Sequence, residues 1–206
     1  MSIDEIFTRT SVRSFSDKVP TDEDMELLMK AAMAAPSAMN QQCWEFCIVD
    51  DEEVIDKLSK AAPYASPVGR APRAIVVLGN VGFMKAAMMW QQDLAAATQN
   101  ILLAAKSKGI GTVWIGIAPH PDRMEAVSEA ICLPEDVKPF CLIAVGYPDK
   151  EPVPNEGRYK PERVHRNRYR PRRSKNETDT RRASMAALQR RNTAMNLPLL
   201  CTSPLA

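Results

Sequence analysis

The sequence is poor in the side chains that many enzymes use for acid–base or metal chemistry. Its 206 residues include two histidines, His120 and His165, neither with carboxylates at a spacing typical of a metal site. It contains no GxSxG nucleophile motif and no phosphate-binding P-loop. Gly109-x-Gly111 follows a predicted helix and precedes a predicted strand, the reverse of the order in a dinucleotide-binding turn. An enzyme with this sequence would therefore need a cofactor to carry its chemistry.

The cysteines give no sign of a disulfide framework or of a zinc site. All five, at positions 43, 47, 132, 141 and 201, lie outside CxxC pairs. Cys43 and Cys47 fall in one predicted strand segment, four residues apart, so we expect them to share a face without a bridge. Scattered, reduced thiols of this kind are typical of a cytosolic protein.

Long apolar runs are missing as well. No stretch reaches the roughly 18 apolar residues that a membrane-spanning helix needs. The first turns carry Asp4, Glu5 and Arg9, so they lack the apolar region of a signal peptide. We therefore predict a cytoplasmic location and no membrane partner.

The net charge of +2 conceals an uneven distribution. Residues 171–206 contain seven Lys/Arg and two Asp/Glu, a net charge of +5, which leaves −3 for residues 1–170. The first part is therefore not a basic nucleic-acid-binding surface. Residues 171–206 also lack aromatic side chains for base stacking, so we predict a flexible, solvated extension that does not bind nucleic acid. An interaction module built on its arginine pairs is the alternative.

Hydrophobic periodicity and capping signals predict four strands and five helices. Ser2 with Glu5 resembles a capping box at the first helix, Thr21 with Asp24 marks the start of the second, and Asp50-Asp51 caps the third. The predicted helices cover about residues 3–7, 21–35, 51–61, 86–108 and 122–131, and the predicted strands 44–49, 74–78, 112–115 and 140–145.

The helix predicted near residues 86–108 is apolar on nearly all sides, and Gly109 is placed to end it. A helix without a clear polar face is usually buried on most sides. In a chain of this size, that indicates burial against a second subunit.

Three segments have the composition of ligand-binding elements. Arg9-Thr10-Ser11-Val12-Arg13 places two guanidinium groups and two hydroxyls within five residues, which suits a dianionic phosphate. Residues 34–46 form an amide-rich loop before an aromatic strand, and amides can serve both edges of a heteroaromatic ring. Gly111 and Gly116 flank a strand whose backbone could approach a flat ligand. Taken singly, each segment also has an ordinary reading: a solvated loop, a helix–strand connection, and a core helix with its following strand.

Taken together and in order, these segments resemble the nitroreductase family of FMN enzymes. The matching motifs, spread over about residues 1–170, are Arg-x-Ser-x-Arg-x-Phe, Pro-Ser-Ala-x-Asn-x-Gln-x-Trp, Gln-Asn-Ile-Leu-Leu-Ala-Ala, Gly-x-Gly-x-x-Trp-Ile-Gly and Gly-Tyr-Pro. One departure is Cys43, which stands where the family commonly has proline before Trp44. A cysteine there allows a freer backbone and should not abolish flavin binding.

The resemblance implies an α+β fold: a small, mainly antiparallel sheet flanked by helices, in an intertwined homodimer. The FMN-binding domain would span residues 1–170, with residues 171–206 as a basic tail. Two FMN sites would lie across the subunit interface, so the protein would be its own partner.

The resemblance also implies a set of FMN-binding residues. The phosphate and ribityl chain would be held by Arg9, Thr10, Ser11 and Arg13. The partner subunit would supply the loop of Pro36, Ser37, Ala38 and Asn40. The backbone of Ile115 and Gly116 would run past the isoalloxazine ring. Arg168 would be a late phosphate contact, a role that Arg166 or Arg170 could also fill.

The implied reaction is a ping-pong transfer of electrons from NADH or NADPH, through FMN, to a nitroaromatic, a quinone or a similar small acceptor. No side chain is predicted to act as an acid or a base, because the flavin carries the chemistry. Related flavin chemistry is the alternative: dehalogenation, enone reduction, or flavin reduction or breakdown. A lid for such substrates would come from residues 63–72 or from around Phe83-Met84-Lys85. A flavin-binding or interaction module without catalysis is the other alternative.

Overall fold

The structure, a computed structural model, describes residues 3–169. Its centre is a four-stranded sheet made of β1 (Trp44–Val49), β2 (Arg73–Asn80), β3 (Gly111–Gly116) and β4 (Val137–Gly146). The strands lie in the order β1-β2-β4-β3, and every neighbouring pair is antiparallel. All four predicted strands are therefore present, with β2, β3 and β4 longer than expected.

Five α-helices surround this sheet: α1 (Asp4–Thr8), α2 (Asp22–Met33), α3 (Glu52–Lys60), α4 (Trp90–Ser107) and α5 (Pro121–Ala130). The predicted helices and the α+β class are confirmed. The main shift is at α4, which begins at Trp90, while residues 87–89 form a 3₁₀ turn before it.

The helix ends follow the predicted capping chemistry where the structure describes it. Thr21 and Asp24 form a reciprocal capping box at α2, and the Asp51 side chain accepts a hydrogen bond from the Val54 N–H at α3. Gly109 follows α4 with φ at 72°, a left-handed conformation that glycine adopts without strain. The capping box proposed for α1 involves Ser2, which lies outside the described residues.

The sheet is covered on both faces by apolar side chains, because neighbouring residues of a strand point to opposite sides. Ile75 and Val77 of β2 belong to the cluster that includes side chains of α2 and α4. Val76 and Leu78 belong to the cluster that includes side chains of α3 and α5. This double burial explains why β2 is one continuous apolar run.

Helix α4 is buried mainly within its own chain. Nine of its 18 residues are buried, and it packs against α2 and strands β1, β2 and β3. Burial of this helix against a second subunit, which the sequence predicted, therefore stays a prediction. Its nearly all-apolar sequence reflects a helix placed between the sheet and another helix of the same chain.

Cys43 and Cys47 do not share a face. Cys43 lies one residue before β1 and is fully buried in the α2–α4 cluster, whereas Cys47 packs against the opposite cluster. The alternation of a strand does not extend to Cys43, because that residue precedes the strand. The four cysteines within the described residues are unbridged.

The N-terminal segment 9–16 docks along one edge of the sheet. Ser11 and Thr112 form a parallel bridge, and the Val12 N–H donates to the Thr112 carbonyl at 3.0 Å. The Ser16 N–H donates to the Tyr147 carbonyl at 2.8 Å. Gly111 makes this approach possible, since a Cβ on it would lie 2.8 Å from the Val12 Cβ.

Residues 157–169 belong to a second unit, separated from the compact body after Glu156. They contain one 3₁₀ turn, Pro161–Arg163, and a ring contact of 4.5 Å between His165 and Tyr169. The predicted boundary near residue 170 coincides with the end of the described residues, and the predicted tail 171–206 lies outside them. That division of the chain stays a prediction.

Among residues 3–169, no helix is both long enough and apolar enough to cross a membrane.

The docking of the N-terminal segment can be tested with Gly111→Ala. The added methyl group would collide with Val12, so we expect the free energy of unfolding to fall by about 1–3 kcal/mol in urea titrations. Gly116→Ala is the matched control at the other end of β3, where a Cβ would meet nothing within 4 Å. Equal stabilities of the two variants would contradict the role given to Gly111.

Candidate functional site

The N-terminal segment borders a small cationic cavity. This cavity, of about 90 Å³, lies where Arg9 and Thr10 meet the C-terminal part of α4 and the start of β3. Arg9 and Lys106 both line it, and its lining contains no acidic side chain. The positive potential of these two side chains attracts anions, and the neighbouring Thr10 hydroxyl can add a hydrogen bond to a bound anion.

The backbone of this segment is fixed by contacts from other parts of the fold. The Nε of Arg70 donates to the Arg13 carbonyl at 3.2 Å, and the Ser14 hydroxyl donates to the Asp149 carboxylate at 2.5 Å. Ser11 and Arg13 themselves are exposed. Their polar groups therefore lie at the surface on a backbone held in place, as a ligand-binding segment requires.

The second predicted segment, from Pro36 to Asn40, is a tight and strained loop. Met39, Asn40 and Gln42 have φ between 46° and 53°. Non-glycine residues in this left-handed region cost on the order of 1–3 kcal/mol each. Such strain persists only where the surroundings hold the backbone, and it occurs often at binding sites.

A buried polar network holds this loop. The carboxylate of Asp93, in the first turn of α4, accepts the Ala38 N–H at 2.9 Å and the Gln41 Nε2 at 2.5 Å. The Oε1 of Gln41 accepts the Ala86 N–H at 2.8 Å. Within the loop, the Ser37 hydroxyl accepts the Gln42 N–H at 3.1 Å.

Asp93, Gln41 and Lys106 are site-adjacent residues that the sequence analysis did not single out. Asp93 gave a signal, since it is an acid in an otherwise apolar stretch of helix. Gln41 was one of several amides in its loop. Lys106 stands in the last turn of α4, where a cation also has the ordinary role of offsetting the helix dipole.

The two residues of the third segment, at the end of β3, lie in different environments. Ile115 is buried in the α3–α5 cluster, whereas Gly116 is exposed, with open space where a side chain would stand. The Gly116 carbonyl accepts a hydrogen bond from Arg123 at 3.2 Å. Only the backbone of this segment is therefore available to a ligand.

Within one chain, these three segments do not form one cluster. The Ser37–Asn40 loop is held at Asp93, and the Arg9 cavity is lined by Lys106, 13 residues further along α4. At 1.5 Å per residue, the two positions on the helix are about 20 Å apart. Gly111 and Gly116, at opposite ends of β3, are about 17 Å apart by the rise of a strand.

Arg168 lies in the unit that begins at residue 157. It is exposed, and its N–H donates to the Arg166 carbonyl at 2.8 Å. Its predicted contact with a phosphate stays a prediction.

Thiolate and metal chemistry find little support in residues 3–169. In this range no three His, Cys, Asp or Glu side chains are grouped as metal ligands. Burial raises the pKa of Cys141 to about 12. Burial, together with the charge of Asp93, also raises the pKa of Cys43. Both thiols therefore stay protonated at neutral pH and are poor nucleophiles.

The three segments fit the FMN that the resemblance implies. The acid-free cavity beside Arg9 suits a phosphate. Gly116 leaves space beside the strand backbone, which a flat ring needs. Ser37 and Asn40 offer hydroxyl and amide groups suited to the polar edge of such a ring.

Comparisons with known proteins give consistent matches. A family model described as "Nitroreductase family" matches residues 6–90 and 68–147. A protein of Archaeoglobus fulgidus named "Putative NADH dehydrogenase/NAD(P)H nitroreductase" is 42% identical over 167 residues, which cover 80% of this chain and 96% of that protein.

Solved structures are similar over the same part of the chain. A "Putative NADH Oxidase" from Clostridium acetobutylicum is 43% identical, with a TM-score of 0.78, covering 81% of this chain and 100% of that one. A "putative nitroreductase in complex with fmn" from Desulfovibrio desulfuricans is 26% identical, with a TM-score of 0.71, covering 82% and 97%.

We expect Arg9→Ala to weaken FMN binding while leaving the fold intact. Charge-assisted hydrogen bonds contribute about 1.5–3 kcal/mol, so the Kd measured by quenching of FMN fluorescence should rise about 10- to 100-fold. Lys30→Ala is the control, because Lys30 is an exposed cation on α2 that pairs with Glu26 outside the cavity. A similar Kd for Arg9→Ala and Lys30→Ala would remove Arg9 from the site.

Proposed function

Because the chain belongs to the nitroreductase family, we propose that it is an FMN-dependent oxidoreductase that passes electrons from NAD(P)H to a small oxidised acceptor. The observation that carries this proposal is the acid-free cationic cavity at Arg9 and Thr10, beside the strand end where Gly111 admits the N-terminal segment. The relatives agree with it, since one solved structure is a complex with FMN and other relatives are named for NAD(P)H or NADH.

The proposed role of the protein is to bind and orient rather than to supply acids or bases. Arg9 and Arg13 would pair with the FMN phosphate, and Thr10 and Ser11 would add hydroxyl hydrogen bonds. Bound FMN supplies the two-electron redox chemistry that the side chains lack. The protein would then contribute position, electrostatics and exclusion of water.

We propose a ping-pong order of substrates. The backbone at Ile115 and Gly116 would cover one face of the ring, because Ile115 is buried and Gly116 has no side chain in the way. Both substrates must then use the other face in turn. NAD(P)H would leave before a nitroaromatic, a quinone or a similar acceptor takes its place.

We also propose a homodimer with sites shared between the subunits. The two polar segments lie about 20 Å apart along α4, so a second copy would bring Ser37 and Asn40 to a flavin held at Arg9. Exposed apolar side chains support such an interface. They include Ile3, Ile6 and Phe7 at α1, Leu27 and Met33 of α2, Met39, and Met88 at 95% exposure.

Both predicted lid segments carry an exposed aromatic side chain as a candidate contact for a larger substrate. In the segment 63–72, Ala65 and Val68 are fully buried, whereas Tyr64 is 80% exposed. Phe83, near the start of α4, is 53% exposed. A preference for halogenated substrates or enones would therefore be sought in Tyr64 and Phe83 variants.

Purification tests the proposed function directly. The preparation should be yellow, release FMN on denaturation, and oxidise NADH or NADPH faster when a quinone or a nitroaromatic is added. Parallel double-reciprocal plots at varied acceptor concentration would support the ping-pong order. Colourless protein that takes up no FMN would refute the proposal, and FMN binding without turnover would leave only a flavin-binding module.

Mixed dimers test the sharing of sites. Two tagged chains, one with Arg9→Ala and one with Ser37→Ala, are co-expressed and the heterodimer is isolated. With shared sites, one site carries both substitutions and the other carries neither, so one FMN per dimer should bind with the unmodified Kd. The two homodimers of single variants serve as controls. Two weakened sites in the heterodimer, or a monomer in sedimentation, would contradict the shared arrangement.

A further inference from the structure

Asp93 is the most deeply buried acid near the candidate site. It is 5% exposed, and within the described residues no lysine or arginine forms an ion pair with it. Its carboxylate is compensated by the Ala38 N–H, by the Gln41 amide and by its place in the first turn of α4. Two of these three compensating groups belong to the 37–42 loop, so the anion is satisfied only while that loop keeps its position.

Gln41 extends the network to the approach of α4. It is also 5% exposed. Its Nε2 donates to Asp93 at 2.5 Å and to the Ala86 carbonyl at 3.4 Å, and its Oε1 accepts from the Ala86 N–H at 2.8 Å. Asp93 and Ala86 therefore fix the orientation of the Gln41 amide, because a rotated amide would place its NH₂ against the Ala86 N–H.

The loop needs this support, because part of its backbone is strained despite its internal hydrogen bonds from the Asn40 N–H to the Ser37 carbonyl and from the Gln41 N–H to the Ala38 carbonyl. Met39 and Gln42 hold positive φ angles that such residues rarely adopt, and Asn40 between them also has a positive φ. The Ser37 and Asn40 side chains lie on this strained backbone, so their position depends on whatever holds it. The bonds from Asp93 to Ala38 and Gln41 span the strained residues Met39 and Asn40.

We propose that Asp93 is a positioning residue for the flavin: its buried carboxylate holds the 37–42 loop in the conformation that presents Ser37 and Asn40 to FMN. This inference rests on the proposed function, in which that loop contacts the cofactor. It goes beyond the family assignment, since it places the control of the loop on an acid that does not itself touch the flavin.

Asp93→Asn tests the inference with little change in shape. The introduced amide keeps an oxygen for the Ala38 N–H but places its NH₂ against the Gln41 NH₂, so two donors face each other. Rotating the Gln41 amide would instead place its NH₂ against the Ala86 N–H. We expect the Kd for FMN to rise about 10- to 100-fold, measured by fluorescence quenching on apoprotein that circular dichroism shows to be folded. Thr98→Val is the matched control, since it removes a buried hydroxyl from α4 that bonds Leu94 and not the loop. Its Kd should stay within about twofold of the unmodified value.

A double-mutant cycle separates positioning from a general loss of stability. If Asp93 acts through the loop, the effects of Asp93→Asn and Ser37→Ala on the Kd should be strongly non-additive. The exchange Asp93→Asn with Gln41→Glu should bind FMN more tightly than Asp93→Asn alone, because the introduced carboxylate can accept from both the introduced amide and the Ala86 N–H. The exchange still loses the weaker bond from Gln41 Nε2 to the Ala86 carbonyl, so we expect partial restoration.

Each outcome bears on the inference. An unchanged Kd for Asp93→Asn, additive effects with Ser37→Ala, or a folded exchange variant that binds FMN no better than the single variant would overturn it. Should Asp93→Asn fail to fold, the exchange variant decides: tight FMN binding supports the inference, and failure to fold there too places the pair in the core and overturns it. If unmodified protein bound no FMN, the proposed function would fail first, before any comparison of variants.

Discussion

Helix α4 packs between the sheet and α2 over most of its length, and the positions of the candidate site segments follow from that packing. Its first turn carries Asp93, which holds the Ser37–Asn40 loop, and its last turn carries Lys106 beside the Arg9 cavity. Because the interior is closely packed, the helix cannot shift without disturbing both faces of its contacts. The distance between the two polar ends is therefore a fixed property of the subunit.

Because one rigid chain cannot bring its two polar segments together, we expect the site to be formed by two chains. Two groups held about 20 Å apart cannot close on the same part of a ligand, but two antiparallel copies can each present one end to the other. The apolar side chains left exposed on α1 and α2 suit such an association. Dimerisation would then be a condition for a complete site, and affinity for the cofactor would depend on protein concentration.

The sequence was sufficient for the helices and strands, because these leave local signals. Capping residues such as Thr21 and Asp51 mark helix starts, and the continuous apolar run of β2 marks a strand buried on both faces. The sequence could not decide which apolar surfaces pack against each other. An all-apolar α4 is equally compatible with burial in its own chain and with burial in a partner, since periodicity does not identify the neighbour. Cys43 and Cys47 were assigned to one face for a related reason: Cys43 stands one residue before the strand, so the alternation of faces along the strand does not extend to it.

The polar network around Asp93 shows a further limit of local patterns. Nothing in the spacing of Gln41 and Asp93, 52 residues apart, indicates that they meet, because the contact is created only when α2 and α4 pack together. The candidate flavin site therefore has two layers in this chain. Arg9, Ser37 and Gly116 can be recognised from short motifs. The side chains that hold those motifs in place can be identified only in the folded structure. The buried Asp93 carboxylate is one of them, and it depends on hydrogen-bond donors from the loop. It therefore links the stability of the fold to the shape of the site.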